Sequence, residues 1–352
     1  MEQKDIKSMN GAEIEAELAL LGERRFRAGQ IYSWLHQKRV TSFEEMTNLP
    51  KSLRQELSVR FQIPQLTVEE CRISRDDGTR KYAFALEDGN IIESVFMRYR
   101  HGNSVCVSSQ VGCRMGCSFC ASTLDGLERN LAPSEMLEQV YRIQRDVGER
   151  VSHVVVMGTG APLDNLENLV RFIRILSDEK AGGISQRNIT VSTCGLVPRI
   201  RQLAEEKLQI TLALSLHAPN DALRRTMMPI ANIYTISQCL EACEAYFRAT
   251  GRRVSSEYSL VEGINDGREQ AEELAGLLQG RNCHVNLIPV NPIEERNFRE
   301  SRPTNVANFK KILEKRGINV TIRRSMGADI DSACGQLRRK IVVQREQRGG
   351  IS

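Results

Sequence analysis

From about residue 104 onward, β-prone stretches alternate with stretches of helical periodicity, six times in succession. Strands are expected near 104–110, 152–157, 188–193, 209–215, 253–261 and 283–289. Helices are expected near 133–147, 165–177, 197–206, 236–250, 267–279 and 304–316, and one further strand, INVTIRR, at 318–324. Parallel strands need a crossover between them, and a helix supplies it. Six such units define an α/β chain whose parallel sheet curls into a partial or full barrel. In such sheets ligands bind at the carboxyl ends of the strands. The informative loops fall there. A cysteine run follows the first strand and GTGAPLDN (158–165) the second, while STCG (192–195), SLHAPND (215–221) and PVNP (289–292) end the third, fourth and sixth.

Around this unit the chain changes character. Residues 1–61 read as short helices, with Ile14, Leu18 and Leu21 on one apolar stripe and Ile31, Trp34 and Leu35 on another. Pro50 closes a turn and can open the next helix. Residues 62–103 read as a β-hairpin extension, because KYAFALEDGNIIESVFMRY (81–99) flanks an Asp-Gly-Asn turn with β-rich runs. The expected division is therefore a helical accessory domain at 1–61, the extension at 62–103, and the barrel with its C-terminal segment at 104–345. No apolar run approaches the ~18 residues of a membrane span. The polar start MEQKDIKSMNGAEIEAELA has no signal-peptide core, so a cytoplasmic protein is expected.

Ten cysteines in such a chain point to metal binding, catalysis or buried thiols rather than a disulfide scaffold. Net charge is only +5, but residues 309–348 hold eleven Lys/Arg against four Asp/Glu. A basic end of that kind suits a nucleic-acid backbone, or is a solvated face.

Cys113, Cys117 and Cys120 have the spacing C-x3-C-x2-C within SSQVGCRMGCSFCAST. Structural zinc commonly takes four ligands in two paired knuckles, and neither a second C-x2-C nor an H-x3-H occurs here. Three thiolates suit a [4Fe–4S] cluster with one iron left for an exogenous ligand. Gly112 and Gly116 let the loop wrap closely, and Phe119 offers a ring for stacking.

This run resembles the radical S-adenosylmethionine (SAM) superfamily. WLHQKRVTSFEEMTNLPKSLR, CVSSQVGC, SLHAPND, NLIPVNP and DIDSACGQLR resemble, in order, the adenosine C2 methyltransferases of 23S ribosomal RNA and transfer RNA. The resemblance implies a partial (β/α)6 barrel, a [4Fe–4S] cluster on Cys113, Cys117 and Cys120, and two SAM molecules per turnover. It further implies that Cys334 takes a methyl from one SAM. A 5′-deoxyadenosyl radical from the second SAM abstracts hydrogen from that methyl, and the carbon adds to adenine. Cys106 then resolves the RNA adduct, leaving a Cys106–Cys334 disulfide to be reduced. Glu93 matches the proton acceptor. The bland alternatives are a buried thiol for either cysteine and a plain strand carboxylate for Glu93. Cys71, Cys194, Cys239, Cys243 and Cys283 are read as structural.

By the same resemblance, SAM contacts fall on Phe119, Gly160, Ala161, Ser192, Ser215, Leu216, His217 and Asn291. His217 could instead be a satisfied polar residue at the barrel mouth. The family pattern G-x-G-E-P reads Gly158-Thr159-Gly160-Ala161-Pro162 here, so the carboxylate that helps hold the amino group of SAM is missing. Asp164 or a water is the candidate replacement. Implied partners are 23S rRNA, tRNA and an electron donor such as flavodoxin or ferredoxin, with no membrane and a monomeric state. Arg24, Arg25, Arg27, Lys38, Arg39 and the basic end are candidate RNA surfaces. The competing functions are C8 methylation of the same rRNA and a SAM-impaired Fe–S RNA-binding protein.

Overall fold

The computed structural model describes residues 3–291, 297–324, 326–330 and 336–349. Ten strands form one sheet: β1 (Thr67–Ile73), β2 (Arg80–Ala85), β3 (Ile91–Tyr99), β4 (Gly102–Cys106), β5 (Val151–Val156), β6 (Ile189–Thr193), β7 (Thr211–Ser215), β8 (Val254–Leu260), β9 (Cys283–Pro289) and β10 (Asn319–Ile322). Their order in space is their order in the chain. β1 to β4 pair antiparallel, and β4 to β10 pair parallel. The chain is thus an α/β protein with a parallel-dominated, partial barrel. The expected extension is continuous with the barrel sheet, because β3 pairs directly with β4.

Eleven α-helices accompany the strands among the described residues: α1 (Gly11–Ala19), α2 (Phe26–Ser33), α3 (Lys51–Arg60), α4 (Pro133–Val147), α5 (Leu166–Ser177), α6 (Val197–Glu205), α7 (Asp221–Met227), α8 (Ile236–Thr250), α9 (Arg268–Leu278), α10 (Pro303–Lys315) and α11 (Gln336–Gly349). Local sequence fixes their ends. Pro133 opens α4, where its missing N–H costs nothing, and Glu135 accepts from the Ala132 N–H at 2.8 Å. In α8 the Thr235 side chain accepts from the Gln238 N–H and Gln238 reaches back to the Thr235 N–H. On α5 the residues Leu169, Val170, Phe172, Ile173 and Leu176 form the buried stripe that faces the sheet.

One apolar core runs through the N-terminal helices and the barrel, joining Ile14, Leu18, Leu53 and Leu57 to Leu137, Tyr141 and Leu169. A buried ion pair joins the same two regions. Lys7 Nζ lies 2.7 Å from Glu138 Oε2, each side chain being 1% exposed, and also donates to the Pro64 carbonyl at 2.6 Å. Arg145 pairs with the other Glu138 oxygen. Burial pulls the Lys7 ammonium below its usual range, while Glu138 opposes that shift. Beside it, buried His36 meets the Tyr141 hydroxyl at 3.1 Å. Burial lowers the His36 pKa to about 3, with Lys7 adding to the effect. Arg39 belongs to this interior group rather than to an open basic face. It is half-buried in a left-handed conformation (φ 57°), above the Tyr141 ring.

Candidate functional site

β4 delivers Cys106 to the carboxyl end of the sheet, where it is buried opposite Val95 of β3 and Val155 of β5. The chain beyond it is stitched in place by side chains. Gln139 of α4 accepts from the Ser108 N–H at 2.7 Å and donates to the Ser108 carbonyl at 3.0 Å. The Ser108 hydroxyl donates to the Glu93 carbonyl and accepts from the Thr159 N–H. This anchors the start of the cysteine loop to the loop after β5.

A small antiparallel ribbon, Gln110–Gly112 with Leu127–Asn130, closes the base of the cysteine loop. Gly112 has φ 75°, and a Cβ there would sit 2.0 Å from the Gly126 carbonyl oxygen, so no side chain fits. Cys113 and Cys117 are buried and Cys120 is half-buried. Burial pushes the Cys113 and Cys117 thiols up, Cys117 well above the usual range. Thiolates are therefore costly here until a metal group stabilises them.

The three cysteines share one cavity of about 300 Å³ with Cys106, Phe119, Gly160, Ala161, Ser192, Ser215, His217 and Asn291. Leu216 and Glu93 do not line it. Leu216 is fully buried and its carbonyl accepts from Arg224 at 3.1 Å. Glu93 shares the strand face of Val95 and Met97, which do line the cavity, but its carboxylate lies beneath α11. Oε1 accepts the Arg338 N–H at 2.5 Å and Oε2 lies 3.3 Å from buried Lys81 Nζ. Cys334 lies outside the described residues.

His217 has φ 57°, and its Nδ1 accepts the Ser259 N–H at 2.9 Å. The remaining proton is therefore on Nε2, and the ring meets Phe119 edge-on at 4.8 Å. Burial holds its pKa near about 3, so the ring is neutral. The Ala161 N–H donates to Gln110 Oε1 at 2.7 Å. Asp164 is already engaged by Arg114 and by Gln110 Nε2 at 3.0 Å, so its carboxylate is not a free substitute for the absent glutamate.

One carboxylate in the cavity was not picked out from the sequence. Glu257 of β8 is buried, and burial raises its pKa while Asn286 and Ser255 each donate to it at 2.8 Å. Register puts Ser215 and Asn286 directly beside it. The available signal was a single acid within the strand VSSEYSL.

Among the described residues no three His, Cys, Asp or Glu side chains converge on a single metal ion. A [4Fe–4S] cluster makes a different demand, since each cysteine takes a separate iron and the thiols stand apart around a bulky group. Three thiols facing one cavity, on a loop whose glycine admits no Cβ, fit that group. A barrel with this site at its mouth is the architecture of a radical SAM enzyme. The sequence comparisons agree: residues 107–277 match the radical SAM superfamily, and residues 4–63 match the ribosomal RNA large subunit methyltransferase N-terminal domain.

Full-length relatives narrow the class. A probable dual-specificity RNA methyltransferase RlmN of Lachnospira eligens is 58% identical over 98% of this chain and 99% of its own. Its namesake in Lachnoclostridium phytofermentans is 60% identical over 96% and 95%. A crystal structure of a radical SAM methyltransferase from Sphaerobacter thermophilus superimposes with a TM-score of 0.90 at 44% identity, over 95% of this chain and 98% of that one. The chain belongs to the RlmN family of radical SAM RNA methyltransferases.

Proposed function

We propose that this enzyme methylates carbon 2 of an adenosine in 23S rRNA and in tRNA, through a methylated cysteine. The observation that carries the proposal is that Cys106 lines the same cavity as the cysteine trio. Glu93 supports it, since its carboxylate meets the helix that begins two positions after Cys334 in sequence. Cys113, Cys117 and Cys120 would hold the [4Fe–4S] cluster, which when bound cleaves SAM by one electron to a 5′-deoxyadenosyl radical.

The chain's own residues then have separate tasks. The Cys334 thiolate attacks the methyl of one SAM, releasing S-adenosylhomocysteine, and carries the methyl as a thioether, and a second SAM is spent in activating it. After carbon joins adenine, Glu93 accepts the proton lost from C2. Cys106 attacks the Cys334 sulfur and breaks its bond to carbon; that carbon takes up a proton to become the methyl of the released RNA, and the two sulfurs are left joined as a disulfide. Phe119, Gly160, Ala161, Ser192, Ser215, His217 and Asn291 bind SAM from the cavity wall, with Leu216 buried behind Ser215 and His217. Helical residues 1–61 and the basic C-terminal region grip RNA, with residues 62–103 as the extension and 104–345 as the catalytic unit. Flavodoxin or ferredoxin serves as donor to a cytoplasmic monomer. Among the described residues no helix is long and apolar enough to cross a membrane.

Mass spectrometry of 23S rRNA and tRNA from cells with and without the gene tests this. Loss of 2-methyladenosine on deletion is the expected result, and methyl at C8 instead would overturn the regiochemistry. Purified Cys106→Ala should accumulate a covalent protein–RNA adduct. Free turnover by that variant would refute the resolving role.

A further inference from the structure

Arg224, on α7, is fully buried. Its guanidinium donates from Nε to the Leu216 carbonyl at 3.1 Å, and from Nη2 to the Cys194 and Ser215 carbonyls at 2.7 and 3.1 Å. Nη1 lies 3.9 Å from Cys239 Sγ. Among the described residues no carboxylate forms an ion pair with it. Asp221, one turn earlier, instead accepts the Ile236 N–H at 2.8 Å. The loop after β6 presses against the group, since a Cβ on Gly195 would sit 3.2 Å from Nη2 and 2.6 Å from Cys239 Sγ.

A buried cation without a counter-charge is costly, and carbonyl dipoles solvate it without neutralising it. Two of the residues it holds, Cys194 and Ser215, line the cavity of the three cluster cysteines. A cluster on three thiolates is anionic and gains one more negative charge on reduction, so a nearby fixed cation favours the reduced form. We infer that Arg224 is the buried counter-charge of the three-cysteine site and a positioning residue that raises the cluster's reduction potential. The inference rests on the cluster assignment above. The same guanidinium fixes the chain just past β6, at Cys194, and the end of β7 with the residue after it, at Ser215 and Leu216.

The test is redox titration of the reconstituted full chain, followed by the cluster's absorbance and EPR signal. Three variants separate charge from shape. Arg224→Gln removes the charge, Arg224→Lys keeps it while losing the fork, and Cys239→Asp neutralises it in place. Arg224→Gln and Cys239→Asp should each shift the one-electron equilibrium at least tenfold towards the oxidised form, about 59 mV. Arg224→Lys should stay near the parent. Iron content and circular dichroism report loading and folding, and if Arg224→Gln does not fold, Cys239→Asp carries the test. An unchanged potential in a loaded, folded Arg224→Gln or Cys239→Asp protein overturns the inference but leaves the cluster assignment standing. A parent protein that takes up no iron overturns both.

Discussion

At the scale of single residues, Ala161 lines the cavity where the resemblance implies a G-x-G-E-P glutamate. On the proposed reading a glutamate at this point of the cavity wall would hold the amino group of SAM, and the chain carries a methyl there instead. Its neighbour Asp164 is committed to Arg114 and Gln110. Restoring one charge-assisted hydrogen bond contributes roughly 1.5–3 kcal/mol. Ala161→Glu should therefore tighten SAM binding by about ten- to a hundredfold, measured by equilibrium dialysis on reconstituted protein. The cysteine trio was legible in the sequence because its ligand spacing is short-range. Glu257 and Arg224 were not, because what gives them meaning comes from other strands and loops. Asn286 reaches Glu257 only through the β8–β9 register, and Arg224 meets carbonyls 8 and 30 positions away in the chain.

At the scale of elements, strands such as SHVVV and ITVST were readable because β-branched residues recur in them, although burial alternates along β6 and β10 is largely exposed. The short helix α7 was hidden in DALRRTM, where three charges mask its buried side. α11 was hidden for a similar reason: within QLRRKIVVQREQRG only Leu337 and Ile341, four apart, show the stripe that meets Ala83 and Ile91. The edge strand β1, TVEECRI, alternates exposed and half-buried residues and carries charges suited to an edge. The contact between the N-terminal segment and α4 hinges on Lys7 and Glu138. Removing one partner of a buried pair typically costs about 3–5 kcal/mol, because the other charge is stranded. Glu138→Ala should lower the thermal midpoint sharply, while the paired change Lys7→Met with Glu138→Leu should recover much of the loss. Equal losses in the single and double variants, measured by scanning calorimetry, would show that the pair is not what joins these elements.

For the whole molecule, two buried histidines couple stability to acid. His36 and His217 both have pKa values of about 3 in the fold, against an ordinary 6.5. Between those values the unfolded chain binds the extra protons, so stability rises with pH there. Their contribution is complete above the ordinary value and is lost as pH falls towards about 3, by on the order of 1.4 kcal/mol per pH unit for each. Thermal midpoints recorded from about pH 7 down to 5 should fall, and His36→Gln should flatten the decline. The strand order has a different consequence. Because every strand of the main sheet pairs with its predecessor, the sheet can be laid down progressively as the nascent chain leaves the ribosome. α11 is the exception, since it follows β10 in the chain yet docks back on β2 and β3. A nascent chain stopped short of α11 could build nearly the whole sheet while Glu93 still lacked the Arg338 N–H. The surroundings of Glu93 therefore depend on a segment 245 positions further along the chain, and a chain cut before residue 336 would leave that carboxylate and the apolar patch of Ala83 and Ile91 without their cover.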